Sequence, residues 1–149
     1  MTTTAANTAR ADQLAAAVAD ATRHHHRIAA REHLPLLVIP DNPWLADQVR
    51  RLHTALTNRQ ALVCPHITGS PSVVYAAAWA PGLLVCPACV GQLRPADDAE
   101  DGTCDRCRRH TDALYAGVVQ TGPLLLAYGL CRHCIRRTGL ADHHPGGTS

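Results

Sequence analysis

The chain has 149 residues, seven cysteines, two tryptophans and no phenylalanine, so its large core-filling side chains are few. Its formal charge is +2, and seven thiolates balanced by two divalent ions would bring that to about −1, which gives no general attraction for a polyanion. All fourteen basic residues are arginine, no apolar run approaches the ~18 residues of a membrane span, and the start lacks a basic-then-apolar leader, so a cytoplasmic protein is expected.

Residues 1–7 are small and polar. From Thr8 to Arg31 an alanine-rich run predicts a helix. Leu14, Val18, Ala21, His25 and Ile28 give it one weak apolar stripe. His24, His25 and His26 are consecutive, and adjacent helical positions point about 100° apart, so the three cannot close on one ion. They are read as solvated or core-rim side chains. Pro35 ends this helix, and Leu36–Ile39 predicts a short extended, buried segment.

Asn42 and Pro43 then form a helix start, with Asn42 as cap and Pro43 in the first helical position. Leu45, Val49, Leu52 and Leu56 follow at helical spacing on a helix ending near Asn58. Residues 60–63 predict a strand. Because residues 1–62 hold no cysteine, this region is expected to be a helical arm that survives metal removal in part.

The chemistry lies in residues 64–134, which carry every cysteine. Cys86/Cys89, Cys104/Cys107 and Cys131/Cys134 are Cys-x-x-Cys pairs, and Cys64 has His66 two positions on. A two-residue gap lets one tight turn present both sulfurs to one ion, and eight ligands fill two tetrahedral zinc sites with no cysteine left over. A disulfide framework would strand one of the seven.

The spacing of the pairs assigns them. Between the first pair and Cys86 run Val74-Tyr75-Ala76, a Pro81-Gly82 turn and Leu83-Leu84. Between Cys107 and Cys131 run Leu114-Tyr115-Ala116, a Gly122-Pro123 turn and Leu124-Leu125. Both read as pair, β-hairpin, pair, an internal duplication with hairpins over Val73–Val85 and Ala113–Leu130. A hairpin brings its ends together, so Cys64, His66, Cys86 and Cys89 should share one ion. Cys104, Cys107, Cys131 and Cys134 should share the other. The rivals are an interleaved cross-brace and a first site completed by His53 in place of His66.

These pairs and hairpins resemble treble-clef zinc fingers over about residues 63–96 and 103–140. The resemblance implies a knuckle supplying one pair and a helix whose first turn supplies the second. Cys-x-His is one residue shorter than the usual knuckle, and Pro95 limits the first helix to about Arg94, so a zinc ribbon stays open for the first module. The expected fold class is α+β: a helical region (1–62), a first zinc module (63–96), an acidic linker (97–102), a second zinc module (103–140) and a flexible tail (141–149).

Function is less legible. Cys86-Pro-Ala-Cys89 before a helix admits a thiol-redox reading, but it has no βαβ context, and three other pairs need partners. Four protein ligands per site leave no open position for catalytic water, so no enzyme is expected. Two binding readings remain. Arg106, Arg108, Arg109, Arg132, Arg136 and Arg137 would gather around the second ion as a face for DNA or RNA. Alternatively, the apolar hairpins and low net charge suit a protein adaptor. The expectation leans narrowly to nucleic acid.

Overall fold

The computed structural model describes residues 2–38 and 42–144. Its elements are α1 (Thr2–Glu32), β1 (Leu36–Val38), α2 (Pro43–Thr57), β2 (Leu62–Val63), β3 (Val74–Ala77) and β4 (Leu83–Leu84). A 3-10 helix (Pro87–Leu93), α3 (Asp98–Asp101), β5 (Tyr115–Thr121), β6 (Leu124–Leu130), α4 (Arg132–Arg137) and a 3-10 turn (Ala141–His143) follow. The class is mixed α and β, with one long N-terminal helix and two small sheets. Among the described residues, no helix is long and apolar enough to cross a membrane.

The second hairpin forms as its sequence predicts. β5 and β6 pair antiparallel from Tyr115↔Leu130 to Thr121↔Leu124. Gly122 turns the corner at φ 54°, where a side chain would be strained. Opposite Tyr128 stands Gly117, where a Cβ would collide with the tyrosine ring, so the missing side chain lets that ring lie across the strand.

The first hairpin differs from expectation. β3 and β4 meet only through the antiparallel Tyr75–Val85 bridge. β3 instead runs parallel to β6, while β4 runs parallel to β2. With β1 parallel to β5, the main sheet has the order β1-β5-β6-β3, joining strands from the helical region and from both cysteine-rich segments. The expected extended run at residues 36–39 is thus an edge strand over Leu36–Val38, and Ile39 lies outside the described residues.

Alternation along the strands splits the core between the two sheet faces. Val119, Leu126, Tyr128 and Leu130 pack with Leu45 and Leu52 of α2 and Ile135 of α4. Val118 and Leu125 point the other way, onto Ala21 of α1. A third cluster, Ala77, Val85 and Leu93, surrounds Cys64.

α2 starts as its sequence predicts: the Asn42 side chain accepts from the Leu45 N–H at 3.0 Å. Its Nδ2 also donates to the Thr138 carbonyl at 2.7 Å, tying the start of α2 to the end of α4. Neither this helix nor α1 is a free arm. α1 rests on the sheet through Ala17, Ala21, His25 and Ala29, one residue per turn, whereas residues 3–16 are exposed. The buried stripe therefore keeps Ala21 and His25 of the predicted set but leaves Leu14 outside. His25 Nε2 bonds the Val118 carbonyl at 2.9 Å, His24 Nδ1 bonds Tyr75 Oη at 2.7 Å, and His26 is exposed. This is the core-rim role expected of the triplet.

At the other end, Ala141–His144 packs where a loose tail was expected. His144 is buried, and its Nε2 is hydrogen-bonded to Tyr128 Oη at 3.0 Å. Burial, with His143 beside it, holds the His144 imidazole below its ordinary value. The unfolded chain therefore takes up a proton at a pH where the folded one does not. The stability this group supplies is complete above about pH 6.5 and is lost as pH falls below it, by at most about 1.4 kcal/mol per pH unit. In thermal melts of the metal-loaded protein between pH 7.5 and 5, His144→Phe should flatten the acid-side decline; an identical decline in both proteins would contradict this.

Candidate metal centres

Two clusters of four side chains are brought together. Cys64, His66, Cys86 and Cys89 have ligand atoms all within 4.8 Å of one another, and so do Cys104, Cys107, Cys131 and Cys134. The pairing is the non-interleaved one, and His66 joins the first cluster, its Nδ1 standing 3.2 Å from Cys89 Sγ. His53 lies elsewhere, on an apolar cleft beside α2.

The two clusters are built alike. In each, a knuckle presents the first pair, and the first cysteine of the second pair sits at a helix N-cap with nearly the same backbone angles. These are φ −76°, ψ 167° at Cys86 and φ −69°, ψ 165° at Cys131. That capping residue turns its N–H onto the opposite sulfur: Cys86 N donates to Cys64 Sγ at 3.2 Å, and Cys131 N donates to Cys104 Sγ at 3.3 Å. The repeat seen in the sequence thus survives at the ligands even though the first hairpin is opened.

Three or four thiols this close cannot all ionise without a cation. Burial opposes ionisation at Cys64, yet the N–H groups of Cys86 and His66 together hold it down to about 6. Burial pushes Cys89 up to about 11, helped by the neighbouring Cys86 and Cys64 sulfurs. The second cluster splits the same way: Cys104 is held down to about 7 by backbone N–H groups against its burial, and burial pushes Cys134 up to about 12. A divalent ion removes this conflict by taking all four donors as anions or neutral imidazole. Sulfur and imidazole donors in a closed four-ligand set fit zinc, and each cluster could hold one such ion.

The surroundings differ. Cys104 and Cys134 are fully buried in the main core, whereas His66 is exposed and Cys86 half-buried. A four-cysteine site carries one more negative charge than a three-cysteine, one-histidine site. Arg106 offsets it by pointing a guanidinium NH at Cys134 Sγ, 3.7 Å away. Asp105 fastens the same knuckle to the sheet, its Oδ2 accepting from the Gly129 N–H at 2.6 Å, and burial pushes its carboxyl up to about 6. Arg108 closes the knuckle at φ 60°, a left-handed conformation uncommon outside glycine. The anchoring role of Asp105 has no local sequence signal, because its partner lies 24 residues away.

The six arginines fare unevenly. Arg106 is turned to the ligand sulfur, and Arg108 pairs with Glu100 of α3 at 2.9 Å. Arg109 is exposed on the strand-like stretch after the knuckle, while Arg132, Arg136 and Arg137 lie exposed on α4. Tyr75 bonds His24, and Trp79 Nε1 donates to the Leu93 carbonyl at 2.6 Å.

No protein-family model, curated protein or solved structure matches this chain.

Proposed function

We propose that the chain is a non-enzymatic protein-interaction module held together by two structural zinc ions, each gripped by a treble-clef-like knuckle and helix start. The observation that carries the choice of partner is the exposed apolar surface beside α2. Leu56 and Val63 are exposed there and line an apolar cleft of about 300 Å³, with no arginine or carboxylate among the described residues of its wall. Such a surface suits a protein partner better than a phosphate backbone.

In this reading the closed donor sets are staples and no reaction is assigned to either. The treble-clef assignment rests on the Cys86 and Cys131 N-caps, which open a 3-10 helix in the first half and an α-helix in the second. A cytoplasmic location fits seven cysteines kept as ligands.

The test is binding of labelled single- and double-stranded oligonucleotides across a salt series, beside co-purification of protein partners with the tagged full chain after nuclease treatment. At 150 mM salt the oligonucleotide Kd should be on the order of 10⁻⁵ M or weaker, the non-specific range, and a protein partner should survive nuclease. Tight binding that falls steeply with salt, and that is lost in the Arg136→Glu/Arg137→Glu double variant, would restore the nucleic-acid reading.

A further inference from the structure

α2 and the second knuckle face each other across a cleft of about 660 Å³. Ala77, Ala78 and Leu126 line it from the sheet, and the two alanines leave it depth. Both tryptophans of the chain, Trp44 and Trp79, also line it. Three arginines, Arg51 from α2 with Arg106 and Arg108 from the knuckle, line it against two carboxylates, Asp47 and Asp105. Tryptophan and arginine around an apolar floor are the side chains that dominate binding energy where proteins meet.

Two of these arginines are available, Arg106 being turned to Cys134 Sγ. Arg51 bonds Asp47 at 2.8 Å with its side chain 75% exposed, and Arg108 bonds Glu100 with its side chain 53% exposed. Ion pairs this exposed exchange partners at little cost. Charge is also divided across the knuckle. Beyond Asp105 and Trp79, which line both hollows, a cavity of about 610 Å³ is lined by Asp98, Glu100, Asp101 and Asp112. A negatively charged ligand is repelled there and directed to the arginine side.

We propose that the cleft between α2 and the second knuckle binds an acidic segment of a partner protein. One bulky apolar side chain of that segment packs against the tryptophan rings, and its flanking carboxylates reach Arg51 and Arg108. The proposal rests on the reading of this chain as a protein-interaction module. The apolar cleft on the other side of α2 is lined by no arginine and plays no part in this selection.

The experiment is selection of phage-displayed random dodecapeptides on the zinc-loaded full chain, followed by synthesis of the enriched sequences. Asp and Glu should be enriched around a Leu, Ile or Phe. The synthetic peptides should shift tryptophan emission directly, because both tryptophans line the cleft. Arg51→Glu and, separately, Gln48→Glu should each weaken binding about tenfold or more, the size of effect expected for reversing or adding a charge at such a rim. Both positions lie on α2 away from every ligand, and native mass spectrometry of the variants should still show two ions.

Enriched peptides without acidic residues that bind both variants as tightly as the parent would overturn the cleft while leaving the interaction module standing. The same holds if no peptide is enriched but a protein partner co-purifies equally with parent and Arg51→Glu chains. No enriched peptide and no partner would overturn the module itself, and the cleft with it.

Discussion

Stripping the metal with a strong chelator should collapse α2 and the main sheet together, not only residues 63–140. Leu45 and Leu52 of α2 pack in the same cluster as Cys104, Cys134, Ile135 and Tyr128, and Asn42 ties α2 to Thr138. β1 pairs with β5, β5 pairs along its whole length with β6, and β6 runs directly into Cys131 and α4. A structural zinc is worth about 10–16 kcal/mol of apparent binding energy in small fingers. That is comparable with the ~5–15 kcal/mol that keeps a whole domain folded, so its loss leaves no reserve. α1 cannot stand alone either: residues 3–16 are exposed, and a helix without a packed face is marginal in water. Far-UV circular dichroism should lose more than half of its helical signal, and in a Trp79→Phe background, where Trp44 alone reports, emission should move to the red. Unchanged Trp44 emission with the helical signal retained would show instead that the helical region folds independently.

The second large effect separates the two centres. Cys134→Ala should abolish folding, because Cys134 is fully buried, neighbours Ile135 in the main cluster and clamps α4 to the knuckle. Removing it forfeits the metal, opens a cavity and leaves Arg106 pointing at nothing, each a recognised route to severe destabilisation. Cys86→Ala should be milder. It removes a half-buried ligand of a cluster that touches the main sheet chiefly through β3 and leaves β1, β5, β6, α2 and α4 their own contacts. Native mass spectrometry and thermal melts should find this variant folded, with one ion and a lower Tm. If Cys86→Ala collapsed as completely as Cys134→Ala, the first centre would be as essential to the main sheet as the second.

How much of this was legible in the sequence depended on range. The ligands were, because Cys-x-x-Cys and Cys-x-His are local devices whose spacing carries their chemistry, and because the second hairpin brings Cys107 and Cys131 together through contiguous chain. The cap at Asn42 and Pro43 was legible for the same reason. β3 was not: Val74-Tyr75-Ala76-Ala77 reads identically whether it folds back on β4 or lies along β6, and a parallel pairing leaves no turn to announce it. The seat of α1 was not legible, because Leu14, Val18, Ala21, His25 and Ile28 make only a weak stripe, and the buried one is Ala17, Ala21, His25 and Ala29. Its seat depends on His25 finding the Val118 carbonyl, 93 positions away. The partners of Arg106 and Arg108 were not legible either, since a run of charges shows where cations are but not that Cys134 and Glu100 engage these two.

The central claim is that two closed zinc centres, one with three sulfurs and an imidazole and one with four sulfurs, hold this fold. Native mass spectrometry joined to zinc K-edge X-ray absorption on the as-purified full chain tests it most directly. Two zinc ions per chain are expected, with zinc–sulfur distances of about 2.3 Å and a small zinc–nitrogen contribution at about 2.0–2.1 Å. Seven sulfurs and one nitrogen should account for the two shells together, and His66→Ala should remove the nitrogen. One ion per chain, an iron–sulfur spectrum, or a nitrogen shell that persists in His66→Ala would contradict it.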